Sequence, residues 1–502
     1  MTNAWKQEVL AGLAPERAAE SAFRKLAIPG SVALLTNALG FLVIMLIDIP
    51  IVHELGVTAC LGVLLMIATN KVLLPIVLSY LRPPPGSGKR QDGDGGRHRG
   101  WWAVSAFAEP RAALWTLAAS LVLLAGGTLV SRHLQTGDIG SGVPELHADS
   151  RYNRDNDKIM RNYSIGMDTL SVYVETEGIE EACLRWPVMN AVDRFDFAVR
   201  GIDGVRSVTT VAGLAKLATA ASNEANPRWA TLQRSEAALR TGARVANPEL
   251  GLNTEGCRSL NLTVYLKDHQ DATLKHVVGE IRAFIAAERT PGVRFRLAGG
   301  NAGIAIATNE AVERAEAQML AAIFGAIALL CWASFRSWKA VVCIIVPLML
   351  VSILCNALMA MLGIGLKVST LPVIALGVGV GVDYGIHLYE RMQHEIAHRN
   401  ASVRQAFYEA MRQRGTAAVF TAMTMSLGVG TWAFSALKFQ ADMGILLAFM
   451  FLVNLLGAVF LLPALACWLD AGRQQKAAPG AHQVDGTMQA RRPARQEGSR
   501  HA

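Results

Sequence analysis

Apolar runs dominate the chain and recur in a regular order. Eight stretches, approximately 31–49, 55–81, 112–131, 317–335, 339–363, 368–390, 415–436 and 442–470, are long and apolar enough for a membrane-crossing helix, which takes about 20 residues. Between the third and the fourth the pattern changes. Residues 132–316 alternate like half-buried strands at 170–174, 204–211, 260–266 and 292–298, and follow helical spacing at 188–199 and 272–287. Each half of this segment reads strand–helix–strand, which predicts split βαβ units of ferredoxin-like type. The intervening 215–256 is polar and reads as helix or loop. The predicted fold is therefore a polytopic α-helical membrane protein of about eight spans, carrying one exported α/β domain.

The flanks are polar. Residues 1–30 form an amphipathic entry without the apolar core of a cleaved signal, so the first span is expected to insert the chain itself. Residues 82–111 are a linker rich in Pro, Gly and charge at their start, and 471–502 read as a disordered tail. The Gly86-Ser-Gly-Lys89 run is not a phosphate loop: Pro83 stands where the first Gly is required and Arg90 where Ser or Thr is required. Lys and Arg gather before the first span, between the second and third, between the fourth and fifth, and between the sixth and seventh. By the positive-inside rule those regions and both termini face the cytoplasm, and 132–316 is exported.

The last two spans repeat the first two. Ala22-Phe23, Gly30-Ser31, Thr36, Gly56 and Leu73-Leu-Pro75 find counterparts in Ala406-Phe407, Gly415-Thr416, Thr421, Gly444 and Leu461-Leu-Pro463. Duplicated halves are the usual plan of secondary transporters, with the site at their interface. The unit beginning at 112–131 has a span, an exported domain and the five-helix bundle 317–470, whereas 31–81 supplies only two helices of an incomplete first repeat. The expectation is a chain truncated at its N-terminus, or one half of a split transporter, completed by a missing N-terminal half or by a homo-oligomer.

Composition narrows the class. Hydrophobic residues make up 52% of the 502 and charged residues 18%, short of the quarter typical of soluble domains. The net charge of +8 lies largely in loops beside spans, without a basic stripe interleaved with aromatics, so nucleic acid is not an expected partner; membrane lipid is. Of seven cysteines, only Cys183 and Cys257 fall in the exported segment. They read as a disulfide pair or as two free thiols. The other five lie in spans and read as small apolar fillers, and no metal-site spacing occurs.

Asp383 stands out, within Gly377-Val-Gly-Val-Gly-Val-Asp-Tyr-Gly385 of the sixth span. An intramembrane carboxylate costs at least ~2.5–3.5 kcal/mol on insertion scales and by default marks an ion or proton pathway. The bland reading is a carboxylate that reaches out to the interface, with Arg391 two turns away. Gly379, Asp383 and His387 share one helical face, while Gly377, Gly381 and Gly385 form a small-residue face for close helix packing. Tyr384 and His387 are candidate relay members or packing residues. Thr421, Thr424 and Ser426 are candidate neighbours of Asp383, although such hydroxyls often bond their own backbone. Lys71 reads as a snorkelling cation.

Gly379-Val-Gly-Val-Asp-Tyr-Gly385, Leu297-Ala-Gly-Gly-Asn-Ala-Gly303, Ala307-Thr-Asn-Glu310, Phe335-Arg-Ser-Trp338 and Lys438-Phe-Gln-Ala-Asp-Met-Gly444 together resemble the resistance–nodulation–division (RND) superfamily, in particular its MMPL-type exporters. The resemblance covers about 20–470 and implies that the chain corresponds to the C-terminal portion of such a protein, with 132–316 as a periplasmic porter domain. It implies proton-coupled efflux of hydrophobic or amphiphilic compounds across the bacterial inner membrane. Asp383 and Tyr384 match the second-half Asp-Tyr pair, and the partner helix of the first half is absent. The expected energy source is the proton gradient, with no cofactor and no enzymatic step. The alternative is a non-transporting lipid-sensing or partner-binding membrane protein, or an inactive remnant.

Overall fold

The computed structural model describes residues 2–10, 12–45, 49–81, 95–140, 142–163, 166–243, 248–399 and 401–474. Residues 82–94 of the expected linker and 475–502 of the expected tail lie outside the described residues, as do 46–48 of the first expected span. Helices α1 (Thr2–Leu10), α2 (Pro15–Ile44), α3 (Pro50–Ala68), α4 (Leu74–Tyr80), α5 (Gly95–Val104) and α6 (Pro110–Ser131) come first. The α/β domain follows, with α7 (Arg151–Asn162), β1 (Thr169–Thr176), α8 (Trp186–Arg200), β2 (Val205–Thr209), α9 (Val211–Ala221), α10 (Glu236–Ala243), β3 (Ser259–Leu266), α11 (Asp271–Ala287) and β4 (Val293–Gly299). The bundle closes with α12 (Gly300–Phe335), α13 (Trp338–Leu362), α14 (Leu371–Arg399), α15 (Val403–Ala410), α16 (Thr416–Gly430), α17 (Lys438–Leu456) and α18 (Leu462–Gln474).

Among the described residues, seven helical stretches are long and apolar enough to cross a membrane, at Val52–Tyr80, Pro110–Ser131, Gly300–Phe335, Trp338–Leu362, Leu371–Arg399, Val403–Phe434 and Lys438–Asp470. The first expected span falls on α2, whose apolar portion is the shorter Leu34–Ile44.

The α/β domain has the ferredoxin-like order. Its four strands pair antiparallel as β2-β3-β1-β4. Alternation in sequence becomes alternation in burial: every second residue of β3, from Leu260 to Leu266, is buried, and Leu262 sits opposite Val172 of β1. Those faces pack under α8 and α11, where Phe195 stacks on Phe295 at 5.4 Å and Met189, Leu274 and Ile281 are fully buried. Cys183 and Cys257 are disulfide-bonded with Cα atoms 5.7 Å apart, tying the segment before α8 to the turn before β3. β4 then runs directly into α12. Gly300 makes that turn at φ +81°, where a Cβ would lie 2.1 Å from the Thr169 carbonyl oxygen. At 36 residues, α12 is about 54 Å long and continues from the sheet into the bundle.

The duplication has a structural counterpart. α2 with α3 and α4, and α15–α16 with α17 and α18, are helical hairpins of the same plan. The matched glycines sit where the two arms meet: a Cβ at Gly56 would lie 3.1 Å from Phe41 O, and one at Gly444 2.9 Å from Val429 O. In both Leu-Leu-Pro motifs the first Leu closes a π-helical turn, Thr69–Leu73 in one unit and Gly457–Leu461 in the other. Pro75 and Pro463 each lack an N–H, and their rings crowd the carbonyl four residues back. The widened turn accommodates both defects without ending the helix.

Candidate functional site

The glycines of α14 determine what lies beside Asp383. Gly377 and Gly381 face α17, where added Cβ atoms would meet Met450 and the Asn454 side chain, both at 2.4 Å. Asn454 fills this gap and donates Nδ2–H to the Gly377 carbonyl at 2.7 Å. Gly385 faces Ile344 of α13. Gly379 lies on a different face, where a Cβ would be 3.1 Å from Asn37 Oδ1 on α2. α14 is thus clamped between neighbours from three other helices.

One turn beyond Gly379, Asn37 donates Nδ2–H to Asp383 Oδ2 at 3.2 Å. The other carboxylate oxygen, Oδ1, is buried with no hydrogen-bond partner among the described residues. The carboxylate stands in the wall of a cavity of about 1180 Å³ between α2–α4 and α14–α16. Phe41, Ile44, Met66 and Val380 make its apolar walls; Lys71 and Arg414 are among its polar lining. Arg391 does not draw Asp383 outward, because it pairs with Glu395 one turn further along α14.

The other candidate residues divide. Tyr384 is buried next to Asp383, and its hydroxyl has no hydrogen-bond partner among the described residues. His387 lines the same cavity, but its ring engages Arg414: Nη1 lies 3.3 Å from His387 Nδ1, donates to His387 O at 3.1 Å and pairs with Glu390 at 2.6 Å. No hydrogen bond joins His387 to Asp383 among the described residues. Thr421 lines the cavity without reaching Asp383 by a hydrogen bond. Thr424 and Ser426, the other two candidate neighbours, bond elsewhere. Thr424 is exposed and donates to Phe420 O in its own helix at 2.8 Å, and Ser426 donates to Ala448 O of α17 at 3.1 Å. Thr424 takes the carbonyl one turn back in its own helix, as such hydroxyls commonly do, whereas Ser426 bonds across to α17. Lys71 donates Nζ–H to Ala27 O at 2.7 Å and lies against Gly30, just before the first expected span.

Asn37 is the functional contact that sequence reasoning missed. The repeat drew attention to its neighbour Thr36, and Asn37 itself has no polar counterpart, since Ala422 follows Thr421. A polar amide in the first apolar run was the one available signal. Two further acids inside the spans are already paired: Asp442 with Lys438 at 2.7 Å, and Glu316, which accepts from Asn356 at 3.3 Å. Among the described residues, Asp383 differs from Asp442 in having no cation beside it, and from both in that its unpartnered oxygen, Oδ1, is fully buried.

Comparison with known proteins places this geometry. The crystal structure of SecDF in its super-membrane-facing form, an RND-superfamily transporter, superposes with a TM-score of 0.52 at 14% identity, over 95% of this chain and 53% of that one. The chain therefore shares the fold and spans about half the length of that structure's chain. No curated protein matches. The model of the MMPL family matches residues 2–114 and 207–496, taking in both hairpins, the lining of the cavity, Asn37 and Asp383, and on that coverage the chain belongs to the MMPL family.

Proposed function

We propose that this chain acts in proton-coupled efflux of hydrophobic or amphiphilic compounds across a bacterial inner membrane, with Asp383 as proton carrier and the proton gradient as energy source. Family and fold support a membrane transporter. The observation that carries the finer reading is the Asp383 carboxylate, which is bonded by Asn37 through one oxygen, open at the other, and set in a cavity wall between the two hairpins. An uncompensated charge in such a place is costly, and proton uptake removes it. The charged form accepts from Asn37, and the protonated form holds its proton at the open Oδ1. The two forms therefore pull differently on α2 and α14, and the proton biases how the hairpins pack. Tyr384 and His387 are proposed to stand beside this step as relay members. The apolar walls suit a lipophilic cargo, membrane lipid surrounds the helices, and the reading needs no cofactor, metal or enzymatic step. A further segment or a second copy is proposed to complete the unit.

In this reading the α/β domain is periplasmic and both termini are cytoplasmic, so reporter fusions at Gly100 and Asn226 give opposite topology signals. The deciding experiment reconstitutes the full chain in vesicles with an imposed pH gradient and a lipophilic fluorescent cargo. The parent moves cargo with the gradient and Asp383→Asn does not. Equal transport by the Asn variant across a pH series would make Asp383 structural and overturn the assignment.

A further inference from the structure

The α/β domain and the Asp383 helix are joined by a series of hydrogen bonds linked through the backbone at His269-Gln270. After α6 the chain forms an extended strap through residues 134–139 that pairs in parallel with the lead into α14. Leu366 N donates to Gln135 O at 2.9 Å and Gly137 N donates to Leu366 O at 2.8 Å. Lys367 Nζ adds an ion pair to Asp138 at 3.0 Å. Gly365 permits the approach, since a Cβ there would lie 1.8 Å from Gly137 O. The strap is therefore fixed to the helix that carries Asp383.

From the strap the series continues into the domain. Gln270 donates Nε2–H to Ile139 O at 3.2 Å. Next to it, His269 places Nδ1 3.1 Å from Asp168 Oδ2, just before β1. Asn301, at the start of α12, donates to Asp168 Oδ1 at 3.2 Å and accepts from Thr169 N at 2.6 Å. Asn309 of α12 donates to Asp271 at the start of α11 at 3.1 Å. The His269–Asp168 pair thus stands between the strap, bonded by the adjacent Gln270, and α12, bonded to Asp168 through Asn301. The His269 ring is 12% exposed, and its Nε2 is buried with no hydrogen-bond partner among the described residues.

We propose that His269 and Asp168 form a protonation-controlled latch, which sets how tightly the strap, and through it α14, is held to the α/β domain. The latch goes beyond the transport reading, because it answers to protons met at the α/β domain and stands whatever Asp383 does. The hydrogen bond that His269 gives to Asp168 raises the proton affinity of the imidazole, burial opposes it, and Asp138 and Asp268 reinforce the rise. Lys367, paired with Asp138, is the cation facing this cluster from the α14 lead, while Lys275 on α11 is taken up by Asp271 and Glu313. The sign follows from linkage. With the folded value above the ordinary 6.5, the stabilisation is complete below that ordinary value and is lost as pH rises through the raised one. Acidity closes the latch and alkalinity loosens it.

Hydrogen exchange on the full chain in lipid nanodiscs, corrected for intrinsic pH dependence, tests this. Amides of the strap in the parent should exchange roughly tenfold faster above the His269 transition than below it, as expected when a buried charge-assisted hydrogen bond becomes a neutral one. His269→Gln should make that protection independent of pH, while the β1–β3 ladder at Val172 and Val174 stays protected as a check on folding. If the Gln variant loses the ladder, Asp168→Asn is read in the same way. Exchange at the His269 imidazole carbon gives a reading that needs no variant, since ring titration and strap protection must move together in the parent. A strap indifferent to pH, a folded variant that keeps the parent's pH dependence, or a ring that titrates out of step would overturn the latch.

Discussion

The two hairpins share a plan and differ in surroundings. In α3–α4 the side chains of Leu61, Leu65, Leu73 and Ile76 are at least half exposed, whereas in α17–α18 Leu446, Met450, Leu461 and Leu462 are buried. The sequences of both are strongly apolar, because lipid accepts apolar side chains as readily as a protein core does. Hydropathy therefore identifies a span without saying what it touches. Polar detail carries that information. Both hairpins pack on α14: the second brings Asn454 against Gly377 and Gly381, and the first lays α2 along it, with Gly40 beside Ala375 and Asn37 at the carboxylate of Asp383. One hairpin serves as the packed support of the Asp383 helix. The other packs on the same helix through Val43 and Ile44 and adds an amide at the edge of a cavity.

That division can be broken or sharpened by substitution. The largest effect is expected from Gly381→Leu, which drives a side chain into Asn454 across a packed interface; overpacking of this kind costs about 1–3 kcal/mol, visible as a lower melting temperature of the purified protein. Gly56→Val and Gly444→Val should each cost a similar ~1–3 kcal/mol, because both meet a backbone carbonyl of the opposite arm. If only Gly444→Val destabilises, the hairpins are not equivalent at their closest approach. Asn37→Ala removes one hydrogen bond, about 0.5–1.5 kcal/mol, and should slow proton-coupled transport while leaving the melting temperature nearly unchanged. Transport at the parental rate would remove the first hairpin from the mechanism. Gly62→Ala, with open space around it, should stay within about 0.5 kcal/mol of the parent.

Much of this was legible in the sequence, for identifiable reasons. Strand alternation in a water-facing domain has one meaning, so β1–β4, α8 and α11 lie within a residue or two of their expected bounds. Asp383 stood out because a carboxylate in an apolar run has few explanations, and the two Leu-Leu-Pro motifs because repetition needs no structural knowledge. The π turns closed by their first Leu left no mark, since a widened turn uses the same residues as a regular one. His387 shares the cavity with Asp383, as four-residue spacing predicts, yet Arg414 claims its ring, and nothing in the linear chain pairs those two residues. Asn37 was hidden because helix rotation inside lipid is set by packing against neighbours, and the repeat that might have marked it is broken at that position.

The central claim is that Asp383 takes up and releases a proton where α2 meets α14. Infrared difference spectroscopy of the full chain in lipid, with aspartate isotope-labelled and pH stepped across the working range, reads that carboxyl directly. The account predicts a protonated-carboxyl band that disappears with rising pH, shifts in Asn37→Ala and is missing in Asp383→Asn. A band unaffected by Asp383→Asn, or a carboxylate that stays ionised at every pH, would contradict it.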